Sequence, residues 1–426
     1  MTTLDTLATN RAQRLQDFYD FRRSALEARN EKLQRIVILP DKDRVKTAEL
    51  LEILRRSKIE IKVANQSFST STAHSYMEKN APRMTKTFPA GTYFIDLNQP
   101  QKRLIKALLE QDTPQDAAFV NDNMQKFRRN ELRGANQPKE DYGFYDITAW
   151  SLPLAFGIDA FWTEDAGNVN SSVVTDEFIE SQKRGNVSGR ASIAYIIPYE
   201  TDGAGVMAIR LLKQGFRVAV ASKTLTAGGR KYNAGTFVIR ISRNSGAIHE
   251  AVNRLADELG VNVFAVNSGY TDDGDTNVGS EYVNSLQTPR IAILADEGVD
   301  QTSFGSIWWT LSRYGIDSTA MSLSSIKGGA LKNYNILILP NGSAGRYFND
   351  FGTNGISTLK SWIAGGGTLI TVRGSSVFAA LKGVGLTSSK LVGTTDDEER
   401  DTANQADETD KREETESQPT PAPTPK

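Results

Sequence analysis

The sequence predicts an α/β protein with duplicated βαβ-containing units, followed by a third block built on a parallel sheet. Three observations carry this expectation. A strand–helix–strand pattern occurs three times along the 426 residues. The heptapeptide Pro89-Ala-Gly-Thr-Tyr-Phe-Ile95 recurs as Asn233-Ala-Gly-Thr-Phe-Val-Ile239, an offset of 144 residues. In the third block two strands are continuous apolar runs, Ile336-Leu-Ile-Leu and Leu369-Ile-Thr-Val, as suits strands buried on both faces of a parallel sheet.

The elements follow in order. Residues from about Leu4 to Leu33 read as one amphipathic helix, with Leu15, Phe18, Phe21, Leu26 and Leu33 at helical spacing among charged residues. So wide an apolar stripe needs a surface to pack on. The first unit predicts a strand over Arg35–Leu39, a helix over Val45–Ser57 and a strand over Ile59–Val63, joined as a right-handed crossover. The second repeats this over Ser192–Pro198, Gly203–Gly215 and Phe216–Ala221. After each recurring heptapeptide comes a polar turn and an amphipathic helix, Gln101–Glu110 and Ser245–Leu259. We read an internal duplication of roughly 75 residues per copy.

Between the copies, Tyr142–Glu164 holds Tyr142, Phe144, Tyr145, Trp150, Phe156, Phe161 and Trp162. A packed aromatic plug is expected there, with a ligand-stacking surface as the alternative. The third block predicts strands over Arg290–Leu294, Asp317–Met321, Tyr334–Pro340 and Gly367–Val372, with helices near Gln301–Tyr314 and Ile356–Ala364. The resulting domain boundaries are a helix (1–34), a first unit (35–118), an aromatic connector (119–190), a second unit (191–287), the parallel-sheet domain (288–390) and a tail (391–426).

The net charge of −1 is unevenly spread: from Thr395 onward eleven acidic residues face four basic ones, so the tail carries −7 and the body +6. With no aromatic residue and a Pro419-Thr-Pro-Ala-Pro-Thr-Pro425 string, that tail is expected to be disordered. Basic residues in the body are scattered, which speaks against nucleic acid as a partner. No run approaches 18 apolar residues, so no membrane span is expected, and Met1-Thr-Thr-Leu does not open a signal peptide. Cysteine is absent and histidine occurs twice, at His74 and His249. Disulfides, thiol nucleophiles and Cys-ligated metal are thereby excluded, and no metal site or cofactor is expected in this chain.

Candidate chemistry is sparse. His74-Ser-Tyr-Met-Glu78 and His249-Glu250 lack the further ligands zinc requires. Asp272-Asp-Gly-Asp-Thr-Asn277 resembles a calcium loop, but counted from Asp273 the sixth and twelfth positions are Val278 and Asn284 rather than Gly and Glu. A polar loop is expected instead. Ligands of parallel sheets bind beyond the carboxyl ends of the strands. That places a candidate ligand site at Glu297, Asn341, Gly342, Gly374, Ser375 and Ser376, with Trp308 or Trp309 nearby. Arg373-Gly-Ser-Ser376 sits where a nucleophile elbow would lie, without the Gly-x-Ser-x-Gly pattern or a downstream histidine. An anion site on the amides of Gly374, Ser375 and Ser376 is the expectation there, with no catalytic residue.

Phe88-Pro-Ala-Gly-Thr-Tyr-Phe-Ile95, Tyr145-Asp-Ile-Thr-Ala-Trp-Ser-Leu-Pro-Leu-Ala-Phe-Gly157 and Val278-Gly-Ser280 ahead of Pro289-Arg-Ile-Ala-Ile-Leu294 resemble the region after the catalytic domain in large bacterial carboxypeptidase A-like zinc metallopeptidases. The resemblance covers nearly the whole chain. It implies a flavodoxin-like, class I glutamine amidotransferase-like third block, here without the Cys nucleophile. It also implies a zinc-peptidase catalytic domain, in cis or trans, as partner, with zinc held there rather than here. Export to the periplasm or outside the cell follows if the parent is exported. The expected role is a non-catalytic accessory or scaffold region. The alternatives are a stand-alone protein binding a small molecule, peptide or glycan, and a hydrolase using Ser375 or Ser376.

Overall fold

In a computed structural model, which describes residues 2–27, 31–111, 115–132, 138–143, 151–270, 274 and 276–390, the apolar spacing of the opening segment forms helix as expected. It makes α1 (Thr2–Thr9) and α2 (Arg11–Leu26), with the Asn10 side chain donating to the carbonyl of Thr6 at 2.9 Å. The helix stops earlier than predicted: Leu33 lies beyond it and packs on the core of the first unit. The tail 391–426, residues 144–150 of the aromatic string, and Asp272, Asp273 and Asp275 lie outside the described residues.

The chain folds as two compact units. One comprises residues 1–190, 200–203 and 252–264, and the other comprises 191–199, 204–251 and those from 265 onward. No helix among the described residues is long and apolar enough to cross a membrane.

In the first unit, β1 (Arg35–Ile38) leads to α3 (Arg44–Arg56) and β2 (Lys62–Ala64). A hairpin follows, β3 (Phe68–Ser75) and β4 (Met84–Phe88), then β5 (Tyr93–Asp96) and the helices α4 (Lys102–Leu109), α5 (Ala117–Leu132) and α6 (Leu152–Ala155). Next come β6 (Ala160–Thr163), β7 (Ser171–Val173), α7 (Asp176–Gln182) and β8 (Asn186–Val187). Seven strands form one sheet in the order β4-β3-β6-β1-β5-β2-β7. Strand alternation sends Ile36, Ile38, Tyr93 and Ile95 to one face, where Leu50, Leu51 and Leu54 of α3 and Ile105 and Leu109 of α4 cover them. Val37, Phe94, Phe161, Ala73 and Phe88 form a second core on the other face.

The second unit opens with β9 (Ala194–Ile197), α8 (Asp202–Lys213) and β10 (Ala219–Ala221). The hairpin β11 (Leu225–Ala227) and β12 (Arg230–Tyr232) follows, then β13 (Phe237–Arg240) and β15 (Val283–Ser285), while α9 (Ile248–Leu259) from Val252 on and β14 (Asn262–Val266) as far as Phe264 fall in the first unit. Its parallel sheet uses β16 (Ile291–Leu294), α10 (Gln301–Arg313), β17 (Ser318–Met321), α11 (Leu323–Lys327), β18 (Ile336–Leu339), α12 (Ala344–Ala364), β19 (Thr368–Thr371) and α13 (Gly374–Ala380). The order β17-β16-β18-β19, all parallel, is a doubly wound arrangement that switches direction between β16 and β18. Helices α11, α12 and α13 bury one face around Phe351, Leu359 and Phe378. Phe304, Ile307 and Leu311 of α10 pack on the other. The predicted Ile356–Ala364 helix is only the second part of α12, which bends at Gly352 (φ 56°).

The duplication is visible bond by bond. In both copies a glycine with positive φ, Gly91 (85°) and Gly235 (92°), turns the chain into the strand. The Gly91 amide donates to Ala64 at 2.8 Å, and that of Gly235 donates to Ala221 at 2.7 Å. Ala64 and Ala221 in turn donate to Thr92 and Thr236, both at 2.9 Å.

The crossover strands are not neighbours: β5 lies between β1 and β2, antiparallel to both, and β13 lies likewise between β9 and β10. Each copy is a split βαβ. Among the described residues the aromatic string is not one plug. Its β6 enters the sheet between β3 and β1, sending Phe161 to one core while Trp162, on the other face, stacks on His74 at 3.9 Å.

Candidate functional site

The carboxyl ends of β16, β18 and β19 meet, as the strand order requires, and Asn341 ties them together. Its backbone amide donates to Ser303 Oγ at 2.9 Å and its carbonyl accepts the Asp300 amide at 2.9 Å. Its side chain donates to Asp300 at 3.2 Å and accepts the Gly374 amide at 3.0 Å. Asp300 also caps α10 by accepting the Ser303 amide at 2.7 Å. Val299 and Gly342 form an isolated bridge. A Cβ on Gly374 would overlap the carbonyl oxygen of Gly342, and one on Gly342 would overlap that of Gly298. Both glycines are there because three backbones touch. Beneath them Tyr347 donates to the Pro340 carbonyl at 2.9 Å, and burial, aided by the Asp300 charge, pushes its phenol well above the usual tyrosine range.

Four of the six sequence-predicted residues, Asn341, Gly342, Gly374 and Ser375, thus build one interlocked crest. Ser375 is fully buried; its hydroxyl accepts from the Val372 amide and donates to the Leu339 carbonyl, both at 2.8 Å. The amides expected to cradle an anion are already bonded, Gly374 to Asn341, Ser375 to the Val372 carbonyl at 3.3 Å and Ser376 to the Arg373 carbonyl at 2.8 Å. Ser376 is exposed, with its hydroxyl donating to Thr371 at 3.0 Å. Glu297 points outward, its side chain 93 % exposed and 3.7 Å from Arg346. Trp308 and Trp309 stand exposed on α10.

The residue missed is Arg373. It sits at the strand-to-helix turn with φ 51° and ψ −113°, a conformation costing a non-glycine residue about 1–3 kcal/mol. Its guanidinium makes no hydrogen bond or ion pair among the described residues. The signal available in sequence was the apolar strand running into Arg-Gly after Gly365-Gly-Gly367. The turns after β16 and β19 thus present the exposed Glu297 carboxylate and Arg373 guanidinium.

In the first unit His74 Nδ1 lies 2.9 Å from the Ala81 carbonyl and Nε2 lies 3.2 Å from Glu164. In the second, His249 Nδ1 lies 2.9 Å from the hydroxyl of Tyr195. Among the described residues no group of three His, Asp or Glu side chains is placed to hold a metal ion. No family model, curated protein or solved structure matches the chain.

Proposed function

We propose that the chain is a non-catalytic accessory region that docks on a zinc-peptidase catalytic domain, supplied in cis or trans, through its opening helix. The observation that carries this reading is the state of that helix. Its C-terminal end is held: Lys102 Nζ donates to the carbonyls of Ser24 and Glu27 at 3.2 and 3.1 Å, and the Arg103 guanidinium lies 3.7 Å from the Phe21 ring centre. Ahead of that anchor Leu4 and Leu7 of α1 and Leu15, Phe18 and Tyr19 of α2 all stand exposed. Five large apolar side chains left exposed on one short segment suit an interaction surface.

The test takes a zinc-peptidase domain read in frame upstream of Met1 or from a neighbouring gene, and finding none in either place would overturn the reading. The two pieces, made separately, should co-elute in gel filtration, and Phe18→Asp should abolish co-elution. Carboxypeptidase turnover by the purified chain with added zinc would overturn the reading, as would co-elution that Phe18→Asp leaves intact.

A further inference from the structure

We propose that the first unit carries a binding site for a small zwitterion of the free α-amino-acid type, on the sheet face opposite its helices. The inference is independent of the peptidase reading. A cavity of about 310 Å³ opens between β2, β5 and the 166–171 loop, and its lining is almost wholly polar. That volume is at the lower end for small-ligand sites.

Its floor is a ladder of alternating charge. Arg35 Nε meets Asp96 Oδ1 at 2.6 Å, Asp96 Oδ2 meets Lys62 Nζ at 3.3 Å, and Lys62 Nζ meets Glu60 at 3.4 Å. Side-chain exposure rises along it from 6 % at Arg35 through 16 % and 33 % to 55 % at Glu60. The inner end is locked, because Arg35 also donates to the Gly167 carbonyl at 2.9 Å and lies 4.4 Å over the Phe94 ring. The outer end faces the cavity, with the exposed side chains of Asn98 and Asn168 at its rim.

The duplication supplies an internal control. Arg35 pairs across the sheet with Asp96, and Ala194 pairs in the same way with Arg240; Lys62 pairs with Phe94, and Ala219 with Val238. The second copy therefore builds the same strands with alanine in place of Arg35 and Lys62. The split βαβ does not need the ladder, and partly buried ion pairs seldom persist for stability alone.

Charge selects the ligand class. A lone anion in the cavity would meet Glu60 and Asp96, and a lone cation would meet Lys62 and Arg35. A molecule with both charges a few bonds apart extends the alternation, its carboxylate on the remaining N–H of Lys62 and its ammonium on Glu60. The asparagine side chains can then bond to either end or to a polar side group.

The test is calorimetric titration of the full chain with the common L-amino acids at up to about 10 mM, beside their N-acetylated and C-amidated forms and glucose. At least one free amino acid should bind, both blocked forms should fail, and Lys62→Ala should weaken binding at least about tenfold. That substitution copies Ala219, and an unchanged unfolding curve confirms the fold. Should it unfold, Asn168→Ala at the exposed rim gives the same reading. No binding by any free amino acid, equal binding of blocked forms, binding of glucose instead, or full affinity in the folded variant would each overturn the proposal.

Discussion

The hydroxyl of Tyr195 lies 2.9 Å from Nδ1 of His249, where the first copy of the duplicated unit places two apolar side chains. Tyr195 pairs with Ile239 as Ile36 pairs with Ile95, and His249 follows Ile105 by the 144-residue offset of the repeat. One copy closes its core with Ile36 and Ile105, both fully buried, and the other with a hydrogen-bonded polar pair. Removing one partner of such a pair strands the other away from water. Tyr195→Phe should therefore cost about 1–3 kcal/mol in denaturant unfolding. A neutral outcome would mean that water reaches the ring.

Arg373 should respond in the opposite direction. Its φ of 51° is open to glycine without strain, so Arg373→Gly relieves about 1–3 kcal/mol of backbone strain and returns part of it as chain entropy. A net gain of about 1 kcal/mol is expected, whereas Arg373→Ala should gain nothing because alanine keeps its Cβ. Thermal unfolding of the two variants beside the parent decides this, and a loss in Arg373→Gly would show that the side chain holds the turn.

What could be read in the sequence was local. The apolar run of β18 and the alternation in β1 identified strands because burial writes itself into consecutive residues, whereas the similar run of β19, expected to be buried on both faces, is an edge strand with Ile370 44 % exposed. The recurrence around Gly91 and Gly235 identified the duplication because a positive-φ turn tolerates few substitutes. Long-range order was not legible. Nothing local says that β5 enters between β1 and β2, and sequential neighbours are the default expectation. β6 was hidden because its Phe161 and Trp162 serve opposite faces of one sheet, so the string read as a single aromatic cluster. At the strand ends the loops were placed correctly, but four of the six residues singled out hold one another rather than face outward. Arg35, Lys62 and Asp96 looked like scattered charges, and only the sheet register brings them side by side.

Asp165 ties the pH dependence of stability to two threonines. Burial alone would raise its pKa, but hydroxyls of Thr72 and Thr70, the Gly167 amide and the Arg35 charge together hold the carboxyl below its ordinary value. A carboxylate depressed in the folded state contributes stability that is complete above the unfolded pKa and is lost as pH falls through the folded one. The parent should therefore lose this contribution below about pH 4. Thr72→Val removes one of the bonds and should cost about 1 kcal/mol at pH 7. The two stability curves should converge in acid; parallel curves down to the lowest pH would refute the assignment.

The opening helix separates stability from association. Only Ala25 of α2 is buried, so deleting residues 2–20 removes apolar surface that packs on nothing described in this unit. The deletion should change unfolding free energy by less than about 0.5 kcal/mol. Lys102 behaves differently, because its side chain is 6 % exposed and satisfies the carbonyls that end α2 while pairing with Glu31. Burial pushes the Glu31 carboxyl up, and the bonds and charges of Lys102 and Lys106 outweigh it and hold it below the usual range. Lys102→Met keeps the stem and removes the charge, leaving those carbonyls without their donor and Glu31 with Lys106 alone, so a loss of about 1–3 kcal/mol is expected. If the deletion proves as costly as Lys102→Met, the segment packs on the chain itself and is not free for a partner. If the deletion is silent while Phe18→Asp abolishes association, the exposed segment is a surface kept for another protein.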